Sequence, residues 1–338
     1  MFLRPGTPAL VLAPMDGVTD ALMRELLTEI MPFSYCVTEF IRVSGTVPSD
    51  RVFLNDVPEL RAECRTASGA GIQVQLLGGD PERLAESASR AVSLGARGID
   101  LNFGCPAPTV NRHDGGATLL KFPERVEAIV KAVRAAVPPL LPVSAKLRLG
   151  WDDMSAIHVN AERAARGGAS WITIHGRTKM QGYIPPAYWG PIGEVRRALE
   201  IPVVANGEIW NVDDMRRCQD ETGCEHFMIG RGALSEPGAI RACAETLGCP
   251  VRASDCSIVG NDPTEWRRLL ELVVLRSRER DESERRAVAR LKQWLNYAHK
   301  RGTISWFDSM KRLLTSDEML SQLDHLSRAL PEGAREAA

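Results

Sequence analysis

The chain has 338 residues, 44% of them hydrophobic and 25% charged, with a formal net charge of −1. The length accommodates one barrel-sized domain and a smaller one, and the near-zero charge excludes a polyanion binder that works by bulk charge, so any nucleic-acid surface must be local. No apolar run approaches the roughly 18 residues of a membrane helix, the first residues lack a signal-peptide pattern, and the eight cysteines include no C-x-x-C pair, which argues against a metal centre and for the cytoplasm.

In chain order, short β-branched runs alternate with longer amphipathic ones. Strands are expected over Ala9–Met15, Tyr35–Thr38, Gly71–Leu77, Gly98–Asn102, Pro142–Leu147, Trp171–His175, Pro202–Asn206 and His226–Ile229. Helices are expected over Asp80–Leu94, Pro123–Ala136, Met154–Arg166 and Gly193–Leu199. Asp80-Pro81 reads as an N-cap followed by Pro at the first helical position. Gly95 and Gly167-Gly168 stand where helix stops belong. Between Tyr35 and Gly71, Pro48-Ser49-Asp50 and Pro58 give no clear helix. Eight strands with helical crossovers predict an α/β fold, a (β/α)8 TIM barrel over residues 1–248. Cys249-Pro250 through Asn261-Asp262-Pro263 reads as a linker, residues 249–263. Residues 264–338, rich in Leu, Arg and Glu and broken at Gly302, read as a small all-helical domain.

A barrel places its active site at the C-terminal ends of its strands. Those ends carry Pro14-Met15-Asp16, Gln75, Asn102, Lys146 with Arg148, His175, Asn206-Gly207-Glu208 and Gly230-Arg231. Barrel interiors normally hold Val, Ile and Leu, so a ring of polar groups is costly unless a polar ligand fills it. The glycine turns after the seventh and eighth runs, with Arg231 beside Gly230, suit a phosphate. Lys146 can set a point charge against a developing anion of the kind a reduced flavin carries, and Gln75 can both donate to and accept from a pyrimidine-like ring edge. Cys105 follows the fourth run on a loop made pliable by Gly115-Gly116-Ala117. A cysteine in such a chain is usually a small buried apolar residue; its place in this ring makes it a candidate for proton or nucleophile chemistry.

The tail is locally basic. From Arg276 to Arg312 eleven Lys and Arg face five acids, with Trp294, Tyr297 and Trp306 interleaved. Phosphate contacts and aromatic stacking are what an RNA surface needs, although helices with i,i+4 ion pairs give a similar count.

The ordered set of motifs resembles the tRNA-dihydrouridine synthases, flavin-dependent reductases of uridine in tRNA. The matching segments are Leu12-Ala13-Pro14-Met15-Asp16-Gly17-Val18-Thr19-Asp20, Gln73-Val74-Gln75-Leu76, Asp100-Leu101-Asn102-Phe103-Gly104-Cys105-Pro106, Lys146-Leu147-Arg148-Leu149-Gly150-Trp151, Ile174-His175-Gly176-Arg177-Thr178, Ala205-Asn206-Gly207-Glu208-Ile209 and Met228-Ile229-Gly230-Arg231-Gly232-Ala233. Thr38-Glu39-Phe40-Ile41-Arg42 and Ala289-Arg290-Leu291-Lys292-Gln293-Trp294-Leu295 are similar to the C-type branch, which modifies position sixteen of the D-loop. The resemblance implies FMN across the barrel mouth. Pro14, Met15 and Asp16 would contact its ring, Gln75, Lys146 and His175 its polar edge, and Asn206, Gly207, Glu208, Gly230 and Arg231 its ribityl chain and phosphate. With NADPH or NADH as electron donor, hydride would pass from N5 of reduced FMN to C6 of uracil, and Cys105 would protonate C5. The implied tRNA contacts are Arg42, Asn102 and Arg148 at the mouth and Arg290, Lys292, Tyr297 and Lys311 on the tail. A monomer is expected. Two departures stand near the thiol: Phe103, where relatives often have a smaller residue, and Arg112-His113-Asp114 before the loop glycines. A flavin-barrel reductase of a free pyrimidine shares barrel and cysteine but needs no basic tail, and a tRNA-binding protein without catalysis needs no flavin.

Overall fold

The β-branched runs pair side by side into one parallel sheet. The computed structural model describes residues 2–3, 6–111, 115–252, 256 and 260–329, so Arg112-His113-Asp114 lies outside the described residues. The strands are β1 (Ala9–Leu12), β2 (Tyr35–Val37), β3 (Ile41–Arg42), β4 (Gly71–Leu77), β5 (Ile99–Asn102), β6 (Val143–Arg148), β7 (Ile172–His175), β8 (Val203–Asn206) and β9 (His226–Ile229). Their order is β2-β1-β9-β8-β7-β6-β5-β4-β3, and a further β2–β4 pairing closes the barrel. Closure leaves no free edge along which another chain could pair. All eight expected strands are present. The two-residue β3 is the unexpected one. It continues the β2 position along the far end of β4, where Ile41 and Arg42 stand beside Leu76 and Leu77. Between β2 and β3, the Thr38 hydroxyl accepts from Gln75 N at 3.0 Å and fills the gap in the ladder.

The expected helices form at Pro81–Ser93, Pro123–Ala136, Ala156–Arg166 and Gly190–Ala198. Asp80 caps the first by accepting from Arg83 N at 2.9 Å. The stretch without a helical pattern holds a two-turn helix, Asp50–Asp56, and a 3₁₀ turn, Pro58–Arg61, both too short to show periodicity. What fixes them is tertiary: fully buried Arg24 meets Glu59 through Nε and Nη2, both at 2.9 Å.

Two apolar clusters carry the packing. The larger lies between the outer face of the sheet and the helices and continues into the tail. The smaller includes Val11, Tyr35, Val37, Trp171, Val204 and Met228 and fills one side of the barrel interior. Rings of Phe2, Tyr35 and Trp171 meet at 5.1 to 6.3 Å and line a cavity of about 1160 Å³ at the N-terminal end of the strands. That end is opposite the polar ring and bears on stability rather than chemistry.

In the tail, Pro263–Glu279, Glu284–Arg301 and Ser316–Ala329 are helices. Trp266 packs edge-on to Trp294 and Trp306 at 6.2 and 6.4 Å. Trp294 and Trp306 are therefore core residues, not RNA-stacking ones: helical spacing turns Trp294 onto the apolar face of its helix, and Trp306, in the loop after that helix, is held by its Nε1 donating to Asn261 O at 3.0 Å. Trp294 Nε1 donates to Leu234 O at 2.9 Å and seats the tail on the barrel. Ion pairs complete the seam: Arg276 with Glu29, Arg280 with Glu25, and Arg286 and Arg290 with Asp20. Much of the basic count in the tail is thus spent inside the molecule. Arg290 departs from its expected place on an open RNA surface: its side chain is 6% exposed, and Nη2 reaches Asp20 at 2.7 Å and Glu282 at 3.1 Å. Arg285, Lys300 and Arg312 stay exposed and outside any ion pair among the described residues.

Candidate active site

Parallel register sets polar residues from neighbouring strands side by side: Gln75 with Asp100, Asp100 with Ser144, Asn102 with Lys146, Arg148 with His175, and His175 with Asn206. The Asp100 carboxyl, 2% exposed, accepts from Gln75 Nε2 at 2.7 Å and from the Ser144 hydroxyl. Burial pushes its pKa up to about 6, so at neutral pH it is a carboxylate and can only accept. That constraint propagates. Gln75 turns its NH₂ to Asp100 and its Oε1 to Asn102 Nδ2, at 2.8 Å. Asn102 is left with Oδ1 toward the loop, where it accepts from Gly104 N and Cys105 N, both at 2.9 Å. Gln75, expected at the edge of a ligand ring, is instead fully enclosed with both ends of its amide engaged. It acts on the site through Asn102.

Cys105 is half-buried and free of any disulfide. Burial raises its thiol above the ordinary range, Asp16 adds to this, and Arg148 and Arg42 oppose it. The thiol therefore keeps its proton at neutral pH. Gly116 makes the close packing of this loop possible: at φ +60°, a Cβ there would stand 2.9 Å from Cys105 O. Phe103, the departure noted beside the thiol, is a core residue. It is 1% exposed and packs into the larger apolar cluster, as the strand alternation after Asn102 requires.

Cations gather on the other side of the mouth. Lys146 Nζ lies 3.2 Å from Asn206 Oδ1, and burial lowers its pKa to about 8. Asn206 is fixed by donating to Met228 O at 2.8 Å. His175 is held neutral, well below its usual pKa, by burial and then by Arg148, Lys146, Arg177 and Arg231; its buried Nδ1 has no partner among the described residues. Glu208, with φ +56°, lies 2.8 Å from Arg177 Nη2 and 3.4 Å from Arg231 Nη2. A carboxylate repels a phosphate, and here it orients two guanidiniums that attract one. Gly207, at φ +116°, brings this turn within 3.4 Å of Gly176 N and His175 Nε2, measured from an added Cβ. Gly230 packs against Met15, and Pro14, Met15 and Asp16 form a rim turn in which Met15 N donates to Thr19 Oγ1 at 2.8 Å.

Arg148 is buried but at the mouth. Its guanidinium donates to Gly104 O, Thr178 O and Gly182 O at 2.7, 3.1 and 2.8 Å and lies 5.1 Å from the Tyr183 ring. Arg42 is exposed on the rim. Tyr297 is half-buried with Arg231 and Tyr183 as electrostatic neighbours, Lys292 is half-exposed, and Lys311 is exposed and paired with Asp308 at 2.7 Å. Asp100, Ser144, Arg177 and Tyr183 escaped the sequence reading. For Asp100 a signal existed, since it lies two residues before Asn102 and so on the same strand face. Tyr183 sits in an irregular loop and had none.

Among the described residues no group of His, Cys, Asp and Glu could hold a metal ion, and no helix is long and apolar enough to cross a membrane. The chain matches the family model of dihydrouridine synthase (Dus) over residues 11–329. It is similar to the tRNA-dihydrouridine(16) synthase of Shewanella oneidensis, 43% identical over 325 residues that span 95% of this chain and 98% of that one. The corresponding protein of Pseudomonas putida is 46% identical over 290 residues, 85% of this chain and 86% of that one. Among solved structures, a variant of NCR from Zymomonas mobilis covers 76% of this chain and 92% of its own, with TM-score 0.50 and 15% identity, a likeness of fold.

Proposed function

The chain belongs to the dihydrouridine synthase family, and we propose that it reduces uridine in tRNA, at position 16 of the D-loop, to 5,6-dihydrouridine with FMN as resident cofactor and NADPH or NADH as electron donor. The donor set suits FMN. A half-buried ammonium at Lys146 without a carboxylate partner, the orphaned His175 Nδ1, and the Arg177 and Arg231 guanidiniums fit a planar polar ring joined to a phosphate. Pro14, Met15, Asp16, Lys146, His175, Asn206, Gly207, Gly230 and Arg231 would hold it, with Arg177 added to that set. Bound and reduced, FMN supplies hydride for C6 of the uracil.

The chain's own residues do the rest. Cys105 donates the proton to C5; with its thiol protonated at neutral pH it needs no activating base. Asn102 holds the Cys105 loop, and beside Lys146 in register we read it as flanking the incoming base. Lys146 stabilises negative charge on the reduced ring. Arg148 fixes the floor of the mouth through Gly104 and Thr178. The uridine must leave its stack to reach this depth. We read the enzyme as a cytoplasmic monomer.

The neutral thiol anchored through Asn102 beside the half-buried Lys146 carries this reading. Its test is to map dihydrouridine in an unmodified tRNA transcript after incubation with the FMN-loaded chain and NADPH. Cys105→Ala should keep NADPH oxidation by oxygen and lose tRNA reduction. Dihydrouridine formed by that variant at the normal rate refutes the acid assignment. Free uridine reduced as well as tRNA would favour a free-pyrimidine reductase, a reading that leaves the docked tail without a purpose.

A further inference from the structure

Trp151, Lys121 and Lys179 stand together on the rim of the mouth, and nothing in the reaction described above uses them. The Lys121 ammonium lies 3.9 Å from the centroid of the Trp151 ring and the Lys179 ammonium 4.3 Å from it. Trp151 and Lys179 are half-buried and Lys121 is exposed. Among the described residues neither lysine makes an ion pair; besides the indole, Lys179 Nζ meets Met180 Sδ at 3.8 Å. The indole holds two ammonium groups close together by cation–π attraction, and neither has a carboxylate to neutralise it among the described residues. That concentration of unpaired positive charge suits an anion.

The group is built on rigid backbone. Leu149 N donates to Arg177 O at 3.0 Å, Lys179 N to Gly150 O at 2.9 Å, and Met180 N to Trp151 O at 2.9 Å, so the loops after β6 and β7 run as a short ladder. Lys121 ends the 3₁₀ turn Gly116–Lys121, whose Ala117 N donates to Cys105 O at 3.1 Å. The three residues are therefore fixed relative to the Cys105 loop.

Their position around the barrel gives the group its meaning. They follow β5, β6 and β7. The tail docks on the turn and helix after β1 and on the short helix after β9, through Gln293 to Gly17, Arg290 to Asp20 and Trp294 to Leu234. In an eight-strand ring closed between β2 and β4, β5 and β6 stand opposite β9 and β1. The mouth thus lies between the free cations of the tail and this second cationic group.

We propose that Lys121, Trp151 and Lys179 form a second anchor for the RNA sugar–phosphate backbone, gripping the substrate across the mouth from the helical tail. This rests on the reading of tRNA as substrate. Lys121 and Lys179 each neutralise one phosphate, and Trp151 holds both ammonium groups in place. The occupant is RNA because a grip on two sides of the mouth requires an extended polyanion. Each neutralised phosphate adds about 0.7–0.9 to the slope of log K against log salt, so two contribute about 1.4–1.8, and about 30-fold in affinity between 1 M and 0.1 M salt.

The test uses the FMN-loaded full chain carrying Lys121→Glu and Lys179→Glu, with Lys121→Arg/Lys179→Arg as the charge-conserving control. Equilibrium tRNA binding is measured from 0.05 to 0.3 M salt, and NADPH-driven flavin reduction alongside it. The Glu variant should bind tRNA at least about 30-fold more weakly at 0.1 M salt with a slope shallower by at least about 1.4–1.8, since charge reversal adds repulsion to the lost contacts. The Arg variant should match the wild type, and flavin reduction should stay within twofold in both. Unchanged tRNA affinity and slope in the Glu variant overturn the proposal. So does a raised KM for NADPH with tRNA binding intact, which would assign the group to the reductant. Wild-type enzyme that neither binds nor reduces tRNA would instead overturn the underlying reading of the substrate.

Discussion

The Asp100–Gln75–Asn102 chain makes a sharp prediction. Asp100→Leu removes an acceptor of similar volume and frees Gln75 to rotate its amide. The lost bond from Gln75 Nε2, at 2.7 Å to a carboxylate, is a charge-assisted one of about 1.5–3 kcal/mol, equivalent to roughly 10- to 150-fold in the population of the aligned amide. Once Gln75 flips, Asn102 loses its orienting partner, and the two N–H groups of Gly104 and Cys105 lose their fixed acceptor. The turnover of tRNA should fall by roughly 10- to 100-fold. Flavin reduction by NADPH should hold, since no step of it uses the Cys105 loop. Asp100→Asn keeps an oxygen for Gln75 and should fall less than tenfold, because the bond it retains is a neutral one of about 1 kcal/mol. A second measurement separates positioning from mere folding. Alkylation of Cys105 by iodoacetamide across pH should change in rate and midpoint in the Leu variant while flavin stays bound. A folded, flavin-loaded Asp100→Leu enzyme with wild-type turnover and an unchanged alkylation profile would refute the reasoning.

Two further outcomes follow from buried charge. Lys146 titrates at about 8 in the folded chain against an ordinary 10.5. Between those values the unfolded chain holds a proton that the folded chain has released, so stability of the flavin-free protein should rise with pH through that window, by about 3 kcal/mol in total. Denaturant titrations at pH 7.5 and 10.5 should show the rise in the wild type but not in Lys146→Met, and equal rises in both would sink the assignment. Glu59→Gln leaves the fully enclosed Arg24 guanidinium without its carboxylate. Breaking such a pair costs about 3–5 kcal/mol, so thermal unfolding should shift down by several degrees, and an unmoved midpoint would count against it.

The sequence by itself determined the barrel and the cast of its mouth. Eight apolar runs were bounded clearly enough to place every strand of the ring, because a parallel strand covered on both faces is mostly apolar, with its polar residues gathered toward the mouth. The polar residues closing those runs marked the mouth, since a barrel gathers all its strand ends on one face. Pattern alone could not assign partners to them. Gln75 looked like a ligand contact and became a link to Asn102 because Asp100 stands beside it in register, a fact of strand pairing. Glu208 was legible only as one of the group expected to hold the ribityl chain and phosphate; its ion pairs with Arg177 and Arg231 were not. Arg290 looked like an RNA contact and closed the seam with Asp20, 270 residues away in sequence. Composition counts a charge without saying whether it faces water or a carboxylate. Only the folded chain decides that, because an ion pair depends on distances of a few ångström between segments that the sequence keeps far apart.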